Sequence, residues 1–217
     1  QTPLAVIKSI FHLLEDGQLG KVTAQQKDYI GRGSRQSEKL LDLIEKFLTI
    51  SRVEAGRITL SLEKKDIKKV ISDKIDLLKP LAKQNNVQLK IDTTSKAVAP
   101  FYFDARLISE AIGNLIDNAI KFAPSGTVEV AIVREGHKVR IVISDTGTGL
   151  SKNDIKKLFE RFVTNVGKKS MVQTGTGIGL YFARRVVEAH GGAIWAESDG
   201  RGRGSQFIVE IPFHAKK

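Results

Sequence analysis

The chain has 217 residues, 41% of them hydrophobic and 27% charged, with a formal net charge of +11; this is the composition of one large globular domain or two modest ones. Cysteine is absent, which excludes disulfides and thiolate metal sites and accords with a reducing cytosol. No run reaches the roughly 18 consecutive apolar residues of a membrane-spanning helix. The basic residues fall in separated pairs such as Lys64-Lys65, Lys68-Lys69 and Lys156-Lys157, among acids and apolar residues, and only 6% of the chain is aromatic. That pattern reads as solvated helix faces and argues against a nucleic-acid partner, because nucleic-acid modules set aromatics among their basic residues.

Two helical segments open the chain. Leu4, Ile7, Phe11 and Leu14 recur at spacings of three and four, a coiled-coil-like seam that ends at Gly17. Thr23 and Gln26 have capping-box spacing and start a second, long helix. Its stripe of Leu40, Leu41, Ile44, Phe47 and Leu48 runs on to the stretch Arg52 to Gly56. Two helices cannot cover both stripes alone: either two hairpins pair into a four-helix bundle, or the hairpin packs on the rest of its own chain.

After Gly56 strands and helices mix. Strands are expected at Ile58–Leu62, Val87–Ile91 and Pro100–Phe103. Thr127–Val133 and Lys138–Ser144 should form a hairpin about Glu135-Gly136, and Ala193–Glu197 and Gln206–Ile211 close the chain. Helices are expected over Asp66–Ala82, from Asp104 to about Phe122, after Ser151, and from about Gly177 to His190. The order implies an α+β fold, an N-terminal helical hairpin followed by an α/β sandwich.

Three segments carry candidate chemistry. Asn114, Asn118 and Lys121 share one helix face; amide oxygens are hard ligands suited to Mg²⁺ and lysine to phosphate, although a solvated polar face has the same pattern. Asp145 ends an apolar strand and precedes Gly147 and Gly149, so it could accept the amino hydrogen of adenine beside a closely approached backbone; a simple Asp-initiated turn reads alike. Gly175-Thr176-Gly177-Ile178-Gly179-Leu180 could offer backbone N–H groups and a helix N-terminus to phosphate, or be a flexible loop. It has neither Rossmann nor Walker A spacing.

Their order is more specific than any one of them. Asn114/Asn118, Asp145-x-Gly147-x-Gly149, Phe159-Glu160-Arg161-Phe162 and Gly175-x-Gly177-x-Gly179 resemble the N, G1, F and G2 boxes of sensor histidine kinases. Gly191-Gly192 and Gly202-Arg203-Gly204-Ser205-Gln206-Phe207 resemble that family's closing segment, and Ser51 to Gly56 its exit from the second helix. Thr2-Pro3-Leu4 resembles the tail of its H-box, His-Glu-Leu-Arg-Thr-Pro-Leu.

The resemblance implies a dimerisation and histidine-phosphotransfer hairpin over residues 1–55 and a catalytic domain over 56–217 with the Bergerat ATP-binding fold of gyrase, heat-shock chaperone and mismatch-repair ATPases. It implies ATP and Mg²⁺ as ligands, with Asn118 and Asn114 at the metal. Lys121, Asp145, Gly147, Gly149, Phe162, Lys168, Lys169, Gly175, Thr176, Gly177, Gly179, Leu180 and Ser205 would line the nucleotide. Val163 to Thr174 would be a lid pinned at its base by Phe159 and Phe162, with Lys168 and Lys169 in place of the family's usual lid arginine. The hydrolases of the superfamily carry glutamate where Asn114 stands, and an amide cannot take a proton from water at neutral pH. The γ-phosphoryl would therefore go to a histidine, and from there to an aspartate on a response-regulator receiver domain.

The acceptor would sit three residues before Gln1, and Thr2, four residues after it, would assist dephosphorylation of the regulator. The four histidines present, His12, His137, His190 and His214, are expected to be structural or exposed. A fragment of a longer protein is therefore expected: a homodimer in the cytoplasm, attached to a membrane only through an upstream segment if at all. The alternatives are an ATP hydrolase of the same superfamily and a nucleotide-binding dimeric scaffold.

Overall fold

The computed structural model describes residues 2–92, 98–164 and 176–213. It divides into two compact units, Gln1–Thr49 and Ile50–Lys217.

The first unit is a helical hairpin of α1 (Thr2–Glu15) and α2 (Ala24–Glu54), the second helix running across the division. The turn between them uses Gly17 and Gly20, both at positive φ. Thr23 and Gln26 close the expected capping box: the Gln26 N–H donates to Thr23 Oγ1 at 3.2 Å and the Thr23 N–H to Gln26 Oε1 at 2.8 Å. Each bond satisfies an N–H that the helix itself cannot. The helices approach closely at Gly33, where a β-carbon would lie 2.6 Å from the ring of Phe11. A glycine inside a helix costs about 0.5–1 kcal/mol, and here it makes room for an aromatic ring. Val6, Ile7, Ile10, Leu40, Phe47 and Leu48 stay exposed.

The second unit is a two-layer α/β sandwich. Its main sheet runs in the order β2-β4-β5-β7-β6, built from β2 (Gln88–Ile91), β4 (Thr127–Glu135), β5 (Lys138–Asp145), β7 (Ser205–Pro212) and β6 (Ala193–Glu197). Only the β2–β4 pair is parallel; the others are antiparallel. Val128, Val130 and Ile132 on β4 and Val139, Ile141 and Ile143 on β5 are buried while their neighbours are not, the period of two that covers one face of a sheet. That face meets α3 (Ile67–Gln84), α4 (Ala105–Phe122) and α6 (Gly179–Ala189). In α4, Ile108, Ile112, Leu115, Ile116, Ala119 and Ile120 are fully buried, so this helix forms the centre of the core. A short helix, α5 (Lys152–Lys157), follows Ser151 as expected, and Ser151 and Asp154 form a capping box at its start.

One expected strand is displaced. Ile58–Leu62 forms no ladder; the strand is β1 (Glu63–Lys65), paired antiparallel with β3 (Phe101–Phe103). The Ser61 N–H goes instead to Asp104 Oδ2 at 3.1 Å, so a side chain satisfies the backbone that a neighbouring strand would have taken. Asp104 also caps α4 by accepting from the Leu107 N–H at 3.0 Å, and its own N–H donates to Nε2 of the fully buried His190 at 3.1 Å. The Nδ1 of that ring lies 2.8 Å from the Val186 carbonyl, which fixes the Nδ1–H tautomer. Among the described residues no helix is long and apolar enough to cross a membrane.

Candidate functional site

Asp145 is the last residue of β5 and is 8% exposed. Its carboxylate accepts from the Gly147 N–H at 2.8 Å, and Ser205 is its cross-strand partner on β7. Burial raises its pKa above the ordinary carboxylate value, opposed by the bonds from Gly147 and Ser205. A carboxylate has about four acceptor positions, so the bond from Gly147 leaves acceptor capacity for a ligand. The turn behind it is closed by backbone contact: the Thr148 N–H donates to the Phe122 carbonyl at 3.0 Å, and a β-carbon on Gly147 would lie 2.2 Å from that same oxygen. Glycine is required here by proximity alone.

Phe122 is the last residue of α4, so the Asp145 turn abuts the helix that carries the amides. Asn114 and Asn118 are half-buried on α4, beside its fully buried face. The Asn114 amide group donates back to the Glu110 carbonyl at 2.8 Å, and its Oδ1 lies 3.0 Å from where a β-carbon on Gly179 would stand. Lys121, a turn further on, pairs with Asp117. Gly179 opens α6, whose N-cap residue, Ile178, makes no side-chain cap bond, whereas Asp66, Asp104 and Ser151 cap α3, α4 and α5. Upstream of it, the Gly177 carbonyl accepts from the Phe162 N–H at 3.0 Å.

Contacts therefore run from Phe162 to Gly177, from Gly179 to Asn114, from Phe122 to Gly147 and Thr148, and from Asp145 to Ser205. These contacts tie α4, the turn after β5, the start of β7 and the start of α6 to one another. Thr176 is exposed and Leu180 half-buried beside them. Phe159 is buried, but Phe162 has a φ of 61° and is 63% exposed among the described residues. Lys168, Lys169 and Gly175, with most of the expected lid, lie outside the described residues, as does the side chain of Thr2.

The two amides are hard oxygen donors. Among the described residues no cluster of three His, Cys, Asp or Glu side chains could hold an ion. Mg²⁺ needs fewer protein ligands, because it keeps water and binds substrate phosphates; two neighbouring amides fit that need.

Pattern reading missed Ser198. Its hydroxyl donates to the Gly204 carbonyl at 2.6 Å and accepts from the Leu150 N–H at 3.0 Å, joining the loop before β7 to the turn after Asp145. In the chain it stands only as a serine before Asp199-Gly200, which reads as ordinary turn chemistry.

The chain matches the family model of histidine kinase-, DNA gyrase B- and HSP90-like ATPases over residues 103–215, and the His Kinase A (phospho-acceptor) domain over residues 1–56. It is 32% identical over 216 residues to the sensor histidine kinase GacS of Pseudomonas protegens, an alignment covering 97% of this chain and 23% of that protein. To the circadian input-output histidine kinase CikA of Synechococcus elongatus it is 32% identical over 214 residues, covering 98% and 28%. The crystal structure of full-length ShkA in complex with AMPPNP is similar at a TM-score of 0.81 and 29% identity, over 99% of this chain and 44% of that one. The chain thus spans about a quarter of the length of these curated relatives.

Proposed function

The chain belongs to the sensor histidine kinases, within the histidine kinase-, DNA gyrase B- and HSP90-like ATPase family, and on that premise we propose that it binds Mg-ATP and phosphorylates a histidine upstream of Gln1. The observation that carries this reading is the contact of Asn114 with Gly179. It sets an amide face beside the uncapped first turn of an eleven-residue helix, where backbone N–H groups favour an anion. The fully buried core of α4 and α6 holds both partners, and such pre-set positioning is most of what phosphoryl transfer asks of a protein.

In this reading Asp145 accepts the exocyclic amino hydrogen of adenine, while Gly147 and Gly149 let the base approach the turn. Asn118 and Asn114 hold Mg²⁺, which when bound neutralises charge on the phosphates. Lys121, Gly175, Thr176, Gly177, Gly179 and Leu180 line the phosphate side, with Lys168 and Lys169 reaching the same charges, and Phe162 and Ser205 border the nucleotide. Asn114 supplies no base for water. The bond from the γ-phosphorus to the bridging oxygen breaks, a bond to an imidazole nitrogen forms, ADP leaves and the imidazole N–H proton is released. An aspartate of a response-regulator receiver domain takes the phosphoryl next, and Thr2 assists its later hydrolysis.

The exposed Val6, Ile7, Ile10, Leu40, Phe47 and Leu48 support a homodimer in which two hairpins form a four-helix bundle. The hairpin would be residues 1–55 and the catalytic domain 56–217. The absence of cysteine is in keeping with a cytoplasmic site of action.

Calorimetric titration with a non-hydrolysable ATP analogue tests the reading. Binding should depend on Mg²⁺, weaken at least tenfold in Asp145→Asn (about 1.4 kcal/mol) and lose its Mg²⁺ dependence in Asn118→Ala. Absence of binding by the folded chain overturns it, and steady release of phosphate from ATP would turn it toward a hydrolase.

A further inference from the structure

The turn 145–150 and the loop 198–205 face each other with backbone on both sides. The Gly202 N–H donates to the Thr148 carbonyl at 2.7 Å and the Gly204 N–H to the Gly147 carbonyl at 3.2 Å. A β-carbon on Gly149 would lie 2.0 Å from the Gly200 carbonyl oxygen, and one on Gly204 would lie 2.0 Å from that of Asp145. Beyond the end of the β5–β7 ladder, where Asp145 pairs with Ser205, glycine against glycine gives the loops no interlocking side chains, and two backbone bonds join them.

Ser198 adds a side-chain constraint to these. Its hydroxyl donates to the Gly204 carbonyl at 2.6 Å and accepts from the N–H groups of Leu150 at 3.0 Å and Gly200 at 3.3 Å. One donor and two acceptor positions are all that a hydroxyl has, and each is aimed at one of the two facing loops. Leu150 ends the turn that starts at Asp145. Gly204 lies against the Asp145 backbone and immediately precedes Ser205, the cross-strand partner of Asp145.

We infer that Ser198 is a positioning residue that sets the aim of the Asp145 carboxylate, and with it the preference of the site for a base bearing an exocyclic amino group. The inference rests on the nucleotide reading above and adds to it a residue outside the motif boxes. Ser198 touches no substrate in this scheme: it ties Leu150 to Gly204, Gly204 carries Ser205, and Ser205 holds Asp145. Without the hydroxyl the loops remain, but the carboxylate loses its fixed direction.

The test compares calorimetric affinities of the non-hydrolysable ATP analogue and of the same analogue built on purine, which lacks the 6-amino group. In the wild-type chain the amino group should be worth about tenfold or more, as for a hydrogen bond to a charged acceptor. In Ser198→Ala that ratio should fall to about twofold, with purine-analogue affinity nearly unchanged, and Ser198→Thr, which keeps the hydroxyl, should restore it. Should Ser198→Ala melt below the assay temperature, Ser198→Cys conserves the volume, weakens the same bonds and should behave alike. An unchanged ratio, or equal weakening toward both analogues, would assign Ser198 a purely structural role and overturn the inference. A wild-type chain that does not distinguish the analogues would instead overturn the role given to Asp145, and this inference with it.

Discussion

Gly204 packs its Cα directly over the backbone of Asp145: a β-carbon there would lie 2.0 Å from the Asp145 carbonyl oxygen, and the residue has a φ of 71°. Two independent requirements for glycine, one of conformation and one of space, therefore coincide beside the candidate base-recognition carboxylate. Gly204→Ala should cost about 1–3 kcal/mol for the left-handed backbone, and it must also push the strand ends apart. Denaturant melts should show the loss of stability, and affinity for an ATP analogue should fall more than tenfold (about 1.4 kcal/mol) in the fraction still folded.

Asp145 should produce opposite pH trends in stability and in binding. Its pKa is raised by burial, so the folded chain holds this proton more tightly than the unfolded chain does. The cost of burying the charge is absent below the ordinary carboxylate pKa and appears as pH rises through the raised value. The melting temperature of wild type minus that of Asp145→Asn should therefore increase as pH falls through that window. Affinity for the adenine analogue should decrease over the same window, because a protonated carboxyl gives up its acceptor role. A purine analogue without the amino group should lack that dependence.

Glu54, in the last turn of α2 and within the second unit, bonds Arg161 and the Tyr181 hydroxyl, and the Tyr181 ring lies 5.0 Å from the Arg161 guanidinium and 5.1 Å from that of Arg185. The bonds from Arg161 first, and from Tyr181 second, hold the Glu54 carboxyl below its ordinary range. Its contribution is present above the unfolded carboxylate pKa and is lost as pH falls through the lowered one. Glu54→Gln should lower the melting temperature slightly at neutral pH, as for other exposed pairs, and the difference should vanish in acid. High salt should also reduce it.

The centre of α4 should behave as core and not as site. Ile116 is fully buried between Asn114 and Asn118 in sequence. Ile116→Ala should cost about 2–5 kcal/mol in denaturant unfolding, while the folded fraction keeps its nucleotide affinity within about threefold, under 1 kcal/mol. Asn118→Ala should do the reverse, with little effect on stability and loss of Mg²⁺-dependent binding.

The apolar surface of the hairpin should govern self-association. Ile10 is 46% and Phe47 53% exposed, and burying such side chains is worth about 1.5–3 kcal/mol each. Sedimentation of Ile10→Glu with Phe47→Glu should show dimer affinity reduced by well over tenfold, a loss above about 1.4 kcal/mol, with helix content retained.

Much of this molecule is legible in the chain because local signals act over a few residues. The Thr23–Gln26 and Ser151–Asp154 capping boxes form as their spacing predicts, since a side chain three positions on can reach an orphan N–H in no other way. The alternation in β4 and β5 and the apolar face of α4 likewise follow from their periods. The hairpin turn about Glu135-Gly136 also forms as expected: Glu135 pairs with Lys138, and Gly136, at a φ of 58°, and His137 make the two-residue loop that favours such a conformation.

What the chain withholds is anything settled between distant residues. Alternation at Ile58–Leu62 cannot say whether a neighbouring strand exists, and Asp104, 43 positions away from Ser61, takes that hydrogen bond instead. Phe159 and Phe162 look equivalent in a motif, yet among the described residues one is buried and the other exposed, which depends on what the rest of the fold lays against each. The amides of α4 could face solvent or a ligand on periodicity alone; the contact of Asn114 with Gly179 arises only when α6 docks beside α4. Ser198 carries no signature at all, because its three partners are backbone groups and any sequence supplies those.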